Sequence, residues 1–155
     1  GQAALTDNSA RRASYALEQV ILAVIVTTGL VSILVTREHT ADYNSGLAHW
    51  IFYAMTTLPH LEENHLHGAV VGFGVLLMLL CDGQLEEFER IYQFNRAVHL
   101  PVSLADLQIT AEQMESLLPL IPETKDVQHY PYAVTVSMLQ KAFQQLALRN
   151  QQDFA

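Results

Sequence analysis

Residues 67–81, HGAVVGFGVLLMLLC, are apolar on nearly every face of a helix, and this stretch constrains the fold most. A surface helix carries a single apolar stripe, whereas one that is apolar all round marks the centre of a helical core. Apolar spacing is helical almost everywhere else, and no two-residue alternation typical of strands is present. The chain is therefore expected to be an all-α, multi-helix domain spanning residues 1–155. Its length is sufficient to bury a core.

Around that centre the helices can be placed from pattern and punctuation. A first helix is expected from about Asp7, a plausible cap in TDNSARR, through Ala16, Val20, Val24 and Val31. The polar gap REHTADYNSG follows, then a second helix from about Gly46 to Leu58, with Pro59 opening a loop, PHLEENHL. LEEFERIYQFNRAV is amphipathic: Leu85, Phe88, Ile91, Tyr92 and Phe94 oppose Glu86, Glu87, Glu89 and Arg90. It ends at HLP, because the residue before a proline avoids the helical region. Ser103 with Asp106 and Thr110 with Gln113 are spaced like capping boxes for two short helices. IPETKDVQHYPYAVTV reads as a loop, after which Ser137 with Gln140 opens a last helix, MLQKAFQQLALR.

One segment competes with a soluble reading. VILAVIVTTGLVSILV, residues 20–35, is sixteen residues long. A bilayer needs roughly twenty. Thr27, Thr28, Gly29 and Ser32 interrupt it, Glu18 and Gln19 precede it, and Arg37 and Glu38 follow. It lacks the basic start and small-residue cleavage site of a signal peptide. It is expected to be a buried core helix of a soluble, cytoplasmic protein that engages no membrane.

Composition excludes further classes. The formal net charge is −8 and no aromatic–basic interleaving is present, so nucleic acid is not an expected partner. A single cysteine, Cys81, allows no internal disulfide and is expected to act as a small buried hydrophobe. No glycine-rich phosphate loop, GxSxG, CxxC or HExxH occurs. The glycines of HGAVVGFG follow no strand and are expected to serve helix packing.

The remaining chemistry lies in histidine. Four of the seven, His49, His60, His65 and His67, fall within nineteen positions. His60 and His65 flank a glutamate pair in the expected loop and read as solvent-exposed. His49 and His67 each sit at the start of an apolar helix, where a rigid backbone can aim a ring nitrogen into a cleft. The second helix advances about 15 Å from its start to Leu58. The eight residues from Pro59 to Leu66 can span up to about 26 Å. The chain can therefore return His67 to His49. Zinc requires at least three protein ligands. Asp42, Glu62, Glu63 or His65 could supply the third, and nothing in the pattern selects among them.

Beyond this point the residues resemble a known family. Ala48-His49, Thr57-Leu58, His67-Gly68 and Val71-Gly72-Phe73-Gly74, with the interval between the two histidines, are similar to the core of the C-terminal helical domain of the iron-containing alcohol dehydrogenases. The closer likeness is to their glycerol dehydrogenase and hydroxycarboxylate dehydrogenase branch. ARRASYALEQVILAVIVTTGLV, HLPVSLADLQI and HYPYAVTVSMLQKAF extend the likeness over most of the chain.

The resemblance implies a dehydroquinate synthase-like helical domain that lacks the family's N-terminal nucleotide-binding α/β domain. It further implies a divalent metal, Zn2+ or Fe2+, held by one aspartate and two histidines, with His49 and His67 matching the histidines by position. The activity implied is NAD(P)-linked oxidation of a small alcohol, glycerol or a 2-hydroxy acid, in a homo-oligomer. The family's aspartate ligand lies on a segment upstream of its first histidine that these residues do not contain. The chain is accordingly expected to be the C-terminal part of a longer protein and inactive alone. No catalytic residue is identified, and NAD(P) would be bound mainly by the other domain. The family often places a second histidine three residues after its first, where this chain has Phe52. That loss of a polar group leaves open an alternative, a non-catalytic helical interaction module descended from such a dehydrogenase.

Overall fold

A computed structural model describes residues 2–35, 46–123 and 130–153. All regular elements among them are helical, with no strand, so the all-α expectation holds. Internal contacts divide the chain into two compact units, residues 1–44 and residues 45–155.

In the first unit, α1 (Gln2–Ser9) is followed by α2 (Tyr15–Leu22). A π-helical turn, Ala23–Thr27, carries α2 directly into α3 (Thr28–Val35). Two sequence expectations change here. Asp7 does not cap the helix; it is buried inside α1 and pairs with Arg12, and a hydrogen bond with Ser14, then the Arg12 guanidinium, hold its carboxyl below the usual range. The N-cap of the long helix is Ser14, whose hydroxyl accepts from the Leu17 amide. The expectation that residues 20–35 are buried also fails. The helix Tyr15–Leu34 has a mean hydropathy of 2.1 and none of its apolar window is buried. Among the described residues of its unit, only the eight-residue α1 is available as a packing partner, which is too little surface to cover it. By length and composition this helix could cross a membrane; core helices of soluble proteins meet the same criteria.

The second unit is built around α6 (His67–Cys81), as its all-round apolarity requires. Val70, Phe73, Leu76, Leu77 and Leu80 are buried against Leu47, Trp50, Ile51 and Met55 of α4 (Leu47–Met55) and Leu139, Ala142 and Leu146 of α9 (Val136–Gln152). Gly74 makes the α4 contact possible. A Cβ at this position would lie 2.5 Å from the Ala48 carbonyl oxygen, so the two helices touch backbone to backbone. Of the HGAVVGFG glycines, this is the one whose place packing dictates: Gly68 faces open space and Gly72 has ordinary clearance.

The connection from α4 to α6 is not an irregular loop. Residues Pro59–Asn64 form a short helix, α5, with proline at its first position, where the missing N–H costs nothing and the fixed φ favours helix. Leu61 anchors it in the core.

Beyond α6, α7 (Leu85–Ala97) buries Phe88, Tyr92 and Asn95, while Leu85 and Phe94 are exposed, contrary to the simple stripe. Asn95 is buried because its amide donates to the Gly72 carbonyl across the helix pair. His99 ends the turn with φ of 60° ahead of Pro101. Ser103 and Asp106 exchange hydrogen bonds before a 3-10 turn, Ala105–Leu107, and Thr110 with Gln113 forms the expected capping box of α8 (Ala111–Leu117).

A 3-10 helix, Leu118–Glu123, lines the core with Leu118 and Ile121. The last helix is capped by Thr135, which accepts from the Met138 amide, and not by Ser137. The polar gap REHTADYNSG up to Ser45, Asp42 included, and residues 124–129 of the expected loop lie outside the described residues.

Candidate functional site

Residues 49, 52 and 53 lie one helical turn apart on the same face of α4, so their side chains are neighbours. That face looks onto the start of α6. The His49 and His67 ring centroids are 5.6 Å apart with planes at 43°. The Phe52 ring meets His67 edge to face, centroids 4.4 Å apart at 78°, and Tyr53 lies 6.4 Å from His49. His49 is half-buried, His67 exposed and Phe52 buried. The structure thus brings together the two histidines singled out by position, and adds an aromatic wall of Phe52 and Tyr53 that sequence reasoning treated only as a lost polar group. The i, i+3, i+4 spacing from His49 was the available signal.

The pair suits a metal in part. Two imidazoles sharing a tetrahedral zinc, each ring nitrogen about 2.0–2.1 Å from it, hold their centroids roughly 5 Å apart. The observed separation is compatible, and neutral imidazole is an appropriate donor for zinc or iron. A third protein donor is required. Among the described residues no three His, Cys, Asp or Glu side chains form a metal-binding group. Glu62, Glu63 and His65 therefore do not complete the pair.

His60 and His65 are not the exposed loop residues expected. His60 lies on α5 and His65 caps it; both are half-buried, and each has a covered Nε2 that finds no hydrogen-bond partner among the described residues. Packing of α5 onto the core through Leu61 carries them inward. His65 also lines a groove of about 600 Å³ with Arg96, His99, Ser103, Asp106 and Asp153, which includes neither His49 nor His67. The charges there are largely committed to one another: Arg96 pairs with Asp153 at 3.0 Å, and Asp106 accepts from the Val102 and Ser103 amides. Cys81 is half-buried, and burial next to Asp82 pushes its thiol up to about 11, so thiolate is scarce near neutral pH.

Comparison with known proteins bears on this geometry. Hydroxycarboxylate dehydrogenase A of Escherichia coli (strain K12) is 25% identical over 147 residues, covering 92% of this chain and 39% of that protein. The fold is similar to the crystal structure of a probable glycerol dehydrogenase from Sinorhizobium meliloti 1021, with a TM-score of 0.59, 26% identity, and coverage of 69% of this chain and 31% of that one. In sequence and in fold the chain resembles this dehydrogenase branch. No protein-family model matches it.

The dehydrogenase-like chain spans about two-fifths of the curated relative and under one-third of the solved structure. Residues 45–155 make up 111 of its 155 residues, so a match covering 92% must reach into the apolar helices of residues 1–44 as well. The relationship is to oxidoreductases, and it extends over only part of their length.

Proposed function

We propose that this chain is the C-terminal helical part of a metal-dependent, NAD(P)-linked alcohol dehydrogenase acting on glycerol or a 2-hydroxy acid, and that His49 and His67 are two ligands of its catalytic metal. The observation that carries the reading is the 5.6 Å approach of the two rings, at the positions where the resemblance to the dehydrogenases expects ligands. A bound divalent metal would supply Lewis acidity, lowering the pKa of a substrate hydroxyl so that hydride can pass to nicotinamide. His49 and His67 would each present one neutral ring nitrogen from a helix start, and the buried Phe52 ring would cover one side of His67. A third ligand and the nucleotide site would come from outside these residues, as the partial coverage of both relatives supports.

With two imidazoles and no carboxylate ligand among the described residues, the isolated chain should bind metal weakly and catalyse no NAD-linked oxidation. The apolar helix Tyr15–Leu34 is assigned to the packing of the larger cytoplasmic assembly, covered by further chain or by another copy, because the dehydrogenase match reaches into it. The alternative, a non-catalytic helical module descended from such an enzyme, is favoured by the missing third donor among the described residues.

Metal analysis of the complete protein separates the two. Retained zinc or iron in the wild type, lost in His49→Ala and His67→Ala but kept in His60→Ala, supports the enzyme. Equal metal content in all four supports the module.

A further inference from the structure

His67 occupies an unusual place for a side chain that must hold a fixed direction. Helical side chains lean toward the N-terminus and rest on the preceding turn. His67 is the first residue of α6, is solvent-exposed, and has no preceding turn of its own helix to rest on. The neighbouring helix supplies that surface. Phe52 is only 9% exposed, fixed in the core, and its ring meets the imidazole edge to face at 4.4 Å, the arrangement aromatic quadrupoles prefer. His49, three residues earlier on the same face of α4, is the ring His67 must meet.

We propose that Phe52 is a positioning residue that holds the His67 imidazole beside His49, setting the geometry of the two-histidine pair. This rests on the metal reading of that pair. It also gives residue 52 a role of its own, in place of an absent polar group. The substitution that the non-catalytic alternative takes as a mark of lost function becomes part of the support of the site. Supports of this kind, one shell away from the ligands, alter metal affinity by about 10- to 100-fold.

The test uses the complete protein with labelled histidine, as wild type, Phe52→Leu, Phe52→Met and Phe52→Tyr. The two aliphatic variants keep apolar bulk without a ring, so the result does not depend on one of them folding, and the amide spectrum checks each. In metal-free protein, the ring-current displacement of the His67 imidazole protons is expected in the wild type and Phe52→Tyr and lost in the aliphatic variants. Zinc titration should show affinity about tenfold weaker in the aliphatic variants and retained in Phe52→Tyr. Displacement unchanged without the ring overturns the contact. Displacement lost with zinc affinity unchanged overturns the positioning role. A complete wild-type protein that takes up no zinc overturns the metal reading and the positioning role with it, and a displacement that persists then marks the contact as packing alone.

Discussion

Gly74 and Ala48 stand backbone to backbone, so close that a Cβ on residue 74 would fall 2.5 Å from the Ala48 carbonyl oxygen. This contact brings α4 onto α6, and with it the His49 ring to His67. Gly74→Ala must push the helices apart. The gain in helix propensity, about 1 kcal/mol at most, does not offset overpacking of about 1–3 kcal/mol. Denaturant unfolding should show a net loss of stability, and zinc uptake by the variant should fall. Gly68→Ala, which meets open space, should leave stability unchanged or slightly raised.

Arg149 clasps α9 to α7. It forms two bonds of 2.8 Å to Glu89, one of 2.7 Å to Asp153, and lies 4.5 Å over the Tyr92 ring. These bonds, with one from Gln93, lower the Glu89 carboxyl from 4.5 to about 2. A group whose pKa is depressed on folding contributes stability above its unfolded value and loses it as pH falls through its folded value. The clasp should therefore be fully effective above about pH 4.5 and lost on acidification toward pH 2. Because Glu89 is 45% exposed, solvent screening limits its share. Arg149→Ala should lower stability at pH 7 by about 1 kcal/mol, since Asp153 keeps Arg96 and Glu89 keeps Gln93, and flatten the acid slope. Urea midpoints measured across that range check both.

The start of α9 offers a choice between two hydroxyls in TVS, and the structure selects Thr135. Thr135→Ala should destabilise by about 1 kcal/mol. Ser137→Ala, within the first turn, should change stability by less than about 0.5 kcal/mol. Equal losses in thermal unfolding would place the helix start elsewhere.

What could be read from the sequence depended on how local its cause was. The central place of α6 followed from apolarity on every face, and the Thr110–Gln113 box from residues three apart. α5 was missed because PHLEEN buries a single apolar residue, Leu61, too few to show a period. That error also misplaced His60 and His65, which its packing draws inward. The exposure of Tyr15–Leu34 could not be seen, since composition says how apolar a helix is and not what surface is available to cover it. For His49 and His67 chain length showed only that they could meet; that they do depends on Gly74, which stands against Ala48, next to His49, and sets the approach of their helices. The contact of Phe52 with His67 was not legible, because whether an aromatic residue faces a histidine depends on the neighbouring helix.

The central claim is that one metal ion is shared by His49 and His67. It is tested most directly by loading the protein with 113Cd and recording proton–cadmium correlations from labelled histidine. The account predicts that ring protons of both His49 and His67 couple to a single cadmium resonance, and that neither His60 nor His65 does. Cadmium coupled to His60 or His65 instead, or to no histidine, would contradict it.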